Sequence, residues 1–142
     1  MQLIDTLGRC SLEITHHLDP AVGYDAFSFR ARVDIGHGAF QAVNKDIQFL
    51  DLPDFVSRLE SFIHDRSVTP RLNGTYDSFL MLTGTASRVR VDFSLADEFT
   101  GYGTGCTPFV FTGAFETEPD RLHALLAQSR ELLESWYVCH PA

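Results

Sequence analysis

Phe27-Ser28-Phe29-Arg30-Ala31-Arg32-Val33-Asp34-Ile35 decides the fold. Its apolar members, Phe27, Phe29, Ala31, Val33 and Ile35, recur at every second position, with Ser28, Arg30, Arg32 and Asp34 between them. Successive side chains of a strand point to opposite faces, so this alternation describes a strand with one buried and one wet face, the habit of antiparallel sheets. Gly36-His37-Gly38 permits a tight reversal, so residues 39–44 are predicted to pair back as a hairpin, with a further short strand at 46–50. Upstream, Leu12 and Ile14 alternate with Ser11, Glu13 and Thr15 in a short strand, and Asp19-Pro20 through Gly23 forms a turn.

Downstream the period changes. Leu52, Phe55, Val56, Leu59, Phe62 and Ile63 trace one apolar stripe along a helix over 51–65. Asp51 is placed to cap its first turn, Pro53 sits where no helical donor is lost, and Asp54 puts negative charge near the positive end of the helix dipole. Leu50 is placed to pack on Phe55 as a hydrophobic staple. Each buried member of the stripe contributes about 1.5–3 kcal/mol. The same opening returns later: Phe109, Phe111 and Phe115 keep a strand spacing, and Thr117-Glu118-Pro119-Asp120 then starts a second helix over 118–136 with Leu122, Leu125, Leu126, Leu132, Leu133 and Trp136 on one side. The last residues are expected to be loose. Between the helices, residues 78–83 are apolar on both faces and read as a central strand covered on both sides. Val89, Val91, Phe93 and Leu95 alternate with Arg88, Arg90, Asp92 and Ser94, and residues 96–108 form the longest irregular segment. The links between strands are too short for parallel crossovers. The expectation is an α+β domain over residues 1–142, with a mainly antiparallel sheet of about six to eight strands, two helices packed on it, and the order strands, helix, strands, helix.

Composition narrows the function. The chain has 142 residues, 44% hydrophobic and 21% charged, with twelve phenylalanines, enough for a packed core. Its net charge is −8 and Lys45 is its single lysine, which speaks against nucleic acid or an anionic membrane surface and suits the steering of a basic protein. Met1-Gln2-Leu3-Ile4-Asp5 does not resemble a signal peptide, and no apolar run is long enough to span a membrane. Three widely spaced cysteines, Cys10, Cys106 and Cys139, do not form a disulfide framework, and a cytoplasmic location is expected.

The motifs that would carry chemistry are weak. Gly101-Tyr102-Gly103-Thr104-Gly105 leads into Cys106-Thr107-Pro108 and a strand rather than a helix, without a lysine, so it does not fit a phosphate loop. His16 and His17 are adjacent and fall on opposite faces of a strand, and His37, His64, His123 and His140 show no metal-ligand spacing. Cys106 has no base at a telling spacing and no Gly-x-Ser-x-Gly occurs. Arg30, Arg32, Arg88 and Arg90 are expected to pair with Asp34 and Asp92 across strands. No catalytic group, metal or cofactor is expected. Asp97, Glu98, Phe99 and Tyr102 make a candidate recognition patch, aromatic anchors with charge at the rim.

Taken in order, these motifs resemble a known family. Tyr24-Asp25 precedes the alternating strand. A hairpin with Phe40 follows, then Leu52-Pro53-Asp54-Phe55-Val56 with Leu59, a short apolar strand, a strand ending in Asp92-Phe93-Ser94-Leu95, an aromatic strand and a Leu-rich helix. Over residues 11–135 the chain resembles the WapI-type immunity proteins, small cytosolic bacterial proteins of polymorphic toxin systems. The resemblance implies a stoichiometric, non-enzymatic protein binder, monomeric or homodimeric, that neutralises a basic toxin domain. It offers no catalytic motif, and the glycine-rich segment at 101–105 has no counterpart in it. Two other readings stay open: a small-molecule-binding or enzymatic domain with its site under the 96–108 loop, and a structural homo-oligomer.

Overall fold

The Phe27 stretch is a strand within a meander. The computed structural model describes residues 1–19, 24–99 and 107–141; at 18–19, 24–25, 97–99 and 107–109 it describes the backbone. The first half runs β1 (Gln2–Ile4), β2 (Cys10–Asp19), β3 (Tyr24–Asp34), β4 (Ala39–Ile47) and α1 (Leu52–His64). The second runs β5 (Arg71–Asn73), a 3-10 turn (Thr75–Asp77), β6 (Phe79–Gly84), β7 (Val89–Phe99), β8 (Thr107–Thr117), a 3-10 turn (Pro119–Arg121) and α2 (Leu122–Cys139). The architecture is α+β, but the strands form two four-stranded antiparallel sheets, β1-β2-β3-β4 and β5-β6-β7-β8, where one larger sheet was expected. Alternation shows which face of a strand is buried and carries nothing about which strands share a sheet. Here α1 carries the chain away from β4, and β5 starts a second meander.

The core draws on both sheets and both helices. Phe27, Phe29 and Ala31 of β3 are buried with Leu80 and Leu82 of β6, Val89, Val91, Phe93 and Leu95 of β7, and the α1 side chains Leu52, Phe55, Val56, Leu59 and Phe62. Leu122, Leu125, Leu126 and Leu132 bring α2 onto the same cluster. Phe27 stands edge-on to Phe49 with ring centroids 5.1 Å apart, a favoured aromatic geometry.

Several local expectations are corrected. Ile35 is 43% exposed because β3 ends at Asp34 and Ile35 belongs to the turn, where Gly36 takes φ +85°. Residues 39–44 and 46–50 are not two strands. One strand, β4, runs to Ile47 through a β-bulge, since Phe29 faces Asn44 while Phe27 faces Ile47. Leu50 is 81% exposed and does not staple α1; its neighbour Phe49 is buried instead. Asp51 makes no side-chain cap. Its carboxylate instead accepts hydrogen bonds from the Asn73 backbone amide (2.9 Å) and side-chain amide (2.7 Å), tying the start of α1 to β5. β6 buries Leu80 and Leu82 on one face while Phe79 and Met81 are half-buried on the other, so it is not sealed on both sides. Arg90 pairs with Asp92 on its own strand, two residues away (2.9 Å), and Arg88 lies 3.9 Å from Glu116. Asp34 accepts the Gly36 amide. The second helix runs further than the expected 136: α2 extends to Cys139, and His140 stacks on Trp136 at 4.2 Å and donates its amide to the Trp136 carbonyl.

Two seams join the halves. Thr75 donates its amide to the Gln48 carbonyl (3.0 Å), and Phe49 bridges Gly74. Gly74 must be glycine there: a Cβ would stand 2.8 Å from Ile47 Cγ2 and 3.1 Å from the Phe49 ring. At the second seam, the buried Asn44 donates its side-chain amide to the Ala96 carbonyl (3.0 Å), and the buried Ser78 hydroxyl accepts the Ala96 amide (3.0 Å).

A candidate protein-binding cleft

The second seam borders a cleft. Asn44 draws β4 toward β7, and beside this contact an open cleft of about 340 Å³ is lined by Gln41, Ala42, Val43 and Asn44 of β4, Leu95 and Ala96 of β7, and Val110 and Phe111 of β8. The bulge makes this possible. It ends the regular ladder at Asn44, whose side-chain oxygen accepts the Asp46 amide (2.8 Å) while its NH2 group reaches the other sheet.

The β4 backbone is the cleft's polar wall. Ile35 donates its amide to the Gly38 carbonyl (2.9 Å), which sets the phase of the β3–β4 ladder. Backbone groups of Phe40, Ala42 and Asn44 therefore point to β3, and those of Ala39, Gln41 and Val43 point outward. β4 is the end strand of its sheet, and among the described residues no backbone group pairs with Gln41 or Val43 on that side. Val110 in the lining is 61% exposed, and Phe40, next to Gln41 in β4, is 55% exposed. An edge with free amides beside apolar side chains is the arrangement that accepts an extended segment as an added strand.

The lining carries no titratable side chain among the described residues, so the cleft offers shape, apolar surface and strand hydrogen bonds rather than acid–base or nucleophilic chemistry. The described titratable groups elsewhere are not arranged for it either. Asp5, buried in the β1–β2 turn, accepts the Arg9 and Cys10 amides. Burial, and then the Asp5 charge, push the Cys10 thiol above its ordinary pKa, the reverse of what an activated nucleophile needs. Alkylation of Cys10 at pH 8, followed by mass spectrometry of the labelled peptide, is accordingly expected to be slower than that of an unstructured cysteine peptide. Asp65, at the end of α1, is held below the usual carboxylate range by the Ser67 hydroxyl and amide. His16 packs on Phe27 and contacts Ser135, and no cluster of three His, Cys, Asp or Glu side chains among the described residues could hold a metal.

No family model, no curated protein and no solved structure matches this chain. No helix of the described residues is long and apolar enough to cross a membrane.

The residues singled out from sequence stand next to this cleft in the chain. Asp97, Glu98 and Phe99 continue β7 directly beyond Leu95 and Ala96, and their backbones face Phe109, Pro108 and Thr107 of β8. The irregular segment expected at 96–108 is thus ordered strand at both ends. Glu116 shows why Pro108 does not break β8. Its carbonyl accepts the Thr6 amide (3.0 Å), so even-numbered residues of β8 turn their backbone groups away from β7. Proline is tolerated on an edge strand when its missing N–H faces outward. Tyr102, and the lid role considered for the loop, lie outside the described residues. Gln41, Val43, Asn44, Val110 and Phe111 were not foreseen; the only local sign was the uncharged run Ala39-Phe40-Gln41-Ala42-Val43-Asn44.

Proposed function

We propose that the chain is a non-enzymatic binding domain of the immunity type, which neutralises a cognate bacterial toxin by direct contact in the cytoplasm. The observation that carries this reading is the cleft of about 340 Å³, with an unpaired β4 edge on one side and apolar side chains from the other sheet opposite. A partner segment gains main-chain hydrogen bonds from such an edge and specificity from the side chains beside it. The backbone of Asp97, Glu98 and Phe99 continues β7 beyond the cleft, these residues and Tyr102 remain the recognition patch read from the sequence, and the net charge of −8 speeds encounter with a basic toxin domain. The volume also falls within the range of about 300–1,000 Å³ usual for small ligands, but among the described residues the lining carries no charged side chain to orient one.

Sequencing the neighbouring reading frames for a toxin domain, and isothermal titration with any such domain, test the reading. Tight equimolar binding, sub-micromolar or better, is expected, with Asp97→Ala and Tyr102→Ala each weakening it by about tenfold or more. Binding no tighter than micromolar refutes the immunity reading. Tight binding that neither substitution weakens removes the patch and leaves the β4 cleft as the contact surface.

A further inference from the structure

We infer that the strand accepted at the β4 edge is acidic: an extended partner segment with carboxylates at alternate positions and apolar side chains between them. This rests on the reading of the cleft as a strand acceptor and adds the chemistry of what enters it; it does not require the partner to be a toxin. β4 guards its far end with the bulge and with Lys45, which leaves residues 39–43 as a regular, uncharged edge. A strand laid there bonds to the outward backbone groups of Ala39, Gln41 and Val43. Its side chains then alternate between two surroundings. Those level with Ala42 turn toward the apolar lining of Leu95, Val110 and Phe111. Those level with Gln41 and Val43 turn to the other face of the sheet.

That other face is cationic where it borders β4. Arg32 stands across from Gln41, Arg30 stands across from Val43, and Lys45 follows on β4 itself. All three side chains are exposed, and among the described residues none of them makes an ion pair or a hydrogen bond. Cations elsewhere are matched: Arg58 with Asp54, Arg90 with Asp92 and Arg130 with Glu60. Acidic groups near the three are placed away from the edge or alongside it. Glu13 lies across from Arg30 on β2, the side remote from β4, Asp34 bonds the Gly36 amide, and Asp46 follows Lys45 in the bulge. Neighbouring strands lie about 4.8 Å apart, so β3 stands about 10 Å from an added strand at the backbone, a gap that arginine and glutamate side chains close from its two sides. Net charge and local charge act at different ranges. The total of −8 steers a basic body toward the protein, and Arg30, Arg32 and Lys45 sort the segment that docks.

Fluorescence anisotropy with the capped, labelled peptide Glu-Val-Glu-Val-Glu, set beside Lys-Val-Lys-Val-Lys and Thr-Val-Thr-Val-Thr, measures the preference. The acidic peptide is expected to bind about tenfold or more tightly than either of the others, with the gap narrowing as salt is raised. Arg30→Glu combined with Arg32→Glu alters exposed side chains and is expected to remove this preference or turn it toward the lysine peptide. Gln41→Pro tests the strand pairing. The Gln41 N–H points outward, so proline there costs β4 no bond to β3, and it is expected to weaken the acidic peptide by about fivefold or more. Circular dichroism checks that both variants keep the fold. Equal binding of the three peptides, or binding of none, overturns the inference. So does acidic binding that the arginine variant abolishes and Gln41→Pro leaves unchanged, which is a charge contact without an added strand. Titration with a toxin domain is a separate measurement: tight toxin binding without a preference for the acidic peptide overturns this inference and leaves the proposed function standing.

Discussion

Truncating Phe49 to alanine is expected to cost about 3–5 kcal/mol, while the same change at its neighbour Leu50 is expected to stay within about 0.5 kcal/mol. Phe49 is buried, meets Phe27 at 5.1 Å and Phe29 at 6.3 Å, and bridges Gly74 across the first seam. Its removal leaves a void where the two halves meet, and the glycine opposite cannot fill it. Leu50 is 81% exposed and contributes little surface to the core. Urea denaturation of the two variants decides the matter. Equal losses would mean that Leu50 packs on α1 after all, as the pattern of a hydrophobic staple suggested.

The second large effect is expected at Asn44. Asn44→Ala withdraws the side-chain donor from the Ala96 carbonyl and the acceptor from the Asp46 amide, and leaves buried polar groups short of partners at a cost of about 1–3 kcal/mol. Ser78→Ala removes the acceptor of the Ala96 amide and is expected to cost a similar amount. Both side chains bond the backbone of Ala96, so the double variant should lose less than the two single losses combined. Denaturation midpoints of the four proteins in this cycle measure the coupling. Strict additivity would show that the two contacts at Ala96 contribute independently. Because Asn44 lines the cleft, its loss is also expected to weaken binding of the proposed partner beyond what Ser78→Ala does.

Periodic signals in the sequence carried over to the structure where burial is local. The Phe27, Phe29 and Ala31 alternation and the Leu52 to Phe62 stripe are both visible from neighbours two to four residues away, and both are buried as read. The failures sit where a distant residue competes. Asp51 has the right type and place for a helix cap, yet Asn73, 22 residues on, takes its carboxylate. Phe49 and Leu50 are adjacent and both apolar; the bridge to Gly74 chooses between them. The irregular segment was read to run through Pro108, because the outward orientation that admits this proline to β8 depends on the phase of β8 against β7, which no local pattern encodes. The cleft was illegible for the same reason. It gathers residues 41–44, 95–96 and 110–111 from three strands, with no motif linking them. The division into two sheets likewise follows from where α1 takes the chain.

That every strand in each sheet lies beside its neighbour in sequence has a consequence for how the chain folds. Each layer can zip outward from its own reversals, closing short loops at small entropic cost, without waiting for the other layer. The seams are different: they bring together residues 27 and 52 positions apart, Gln48 with Thr75 and Asn44 with Ala96. The topology therefore favours an order of events in which two preformed layers dock late, and the polar contacts at Asn44 act as the latch on that final step.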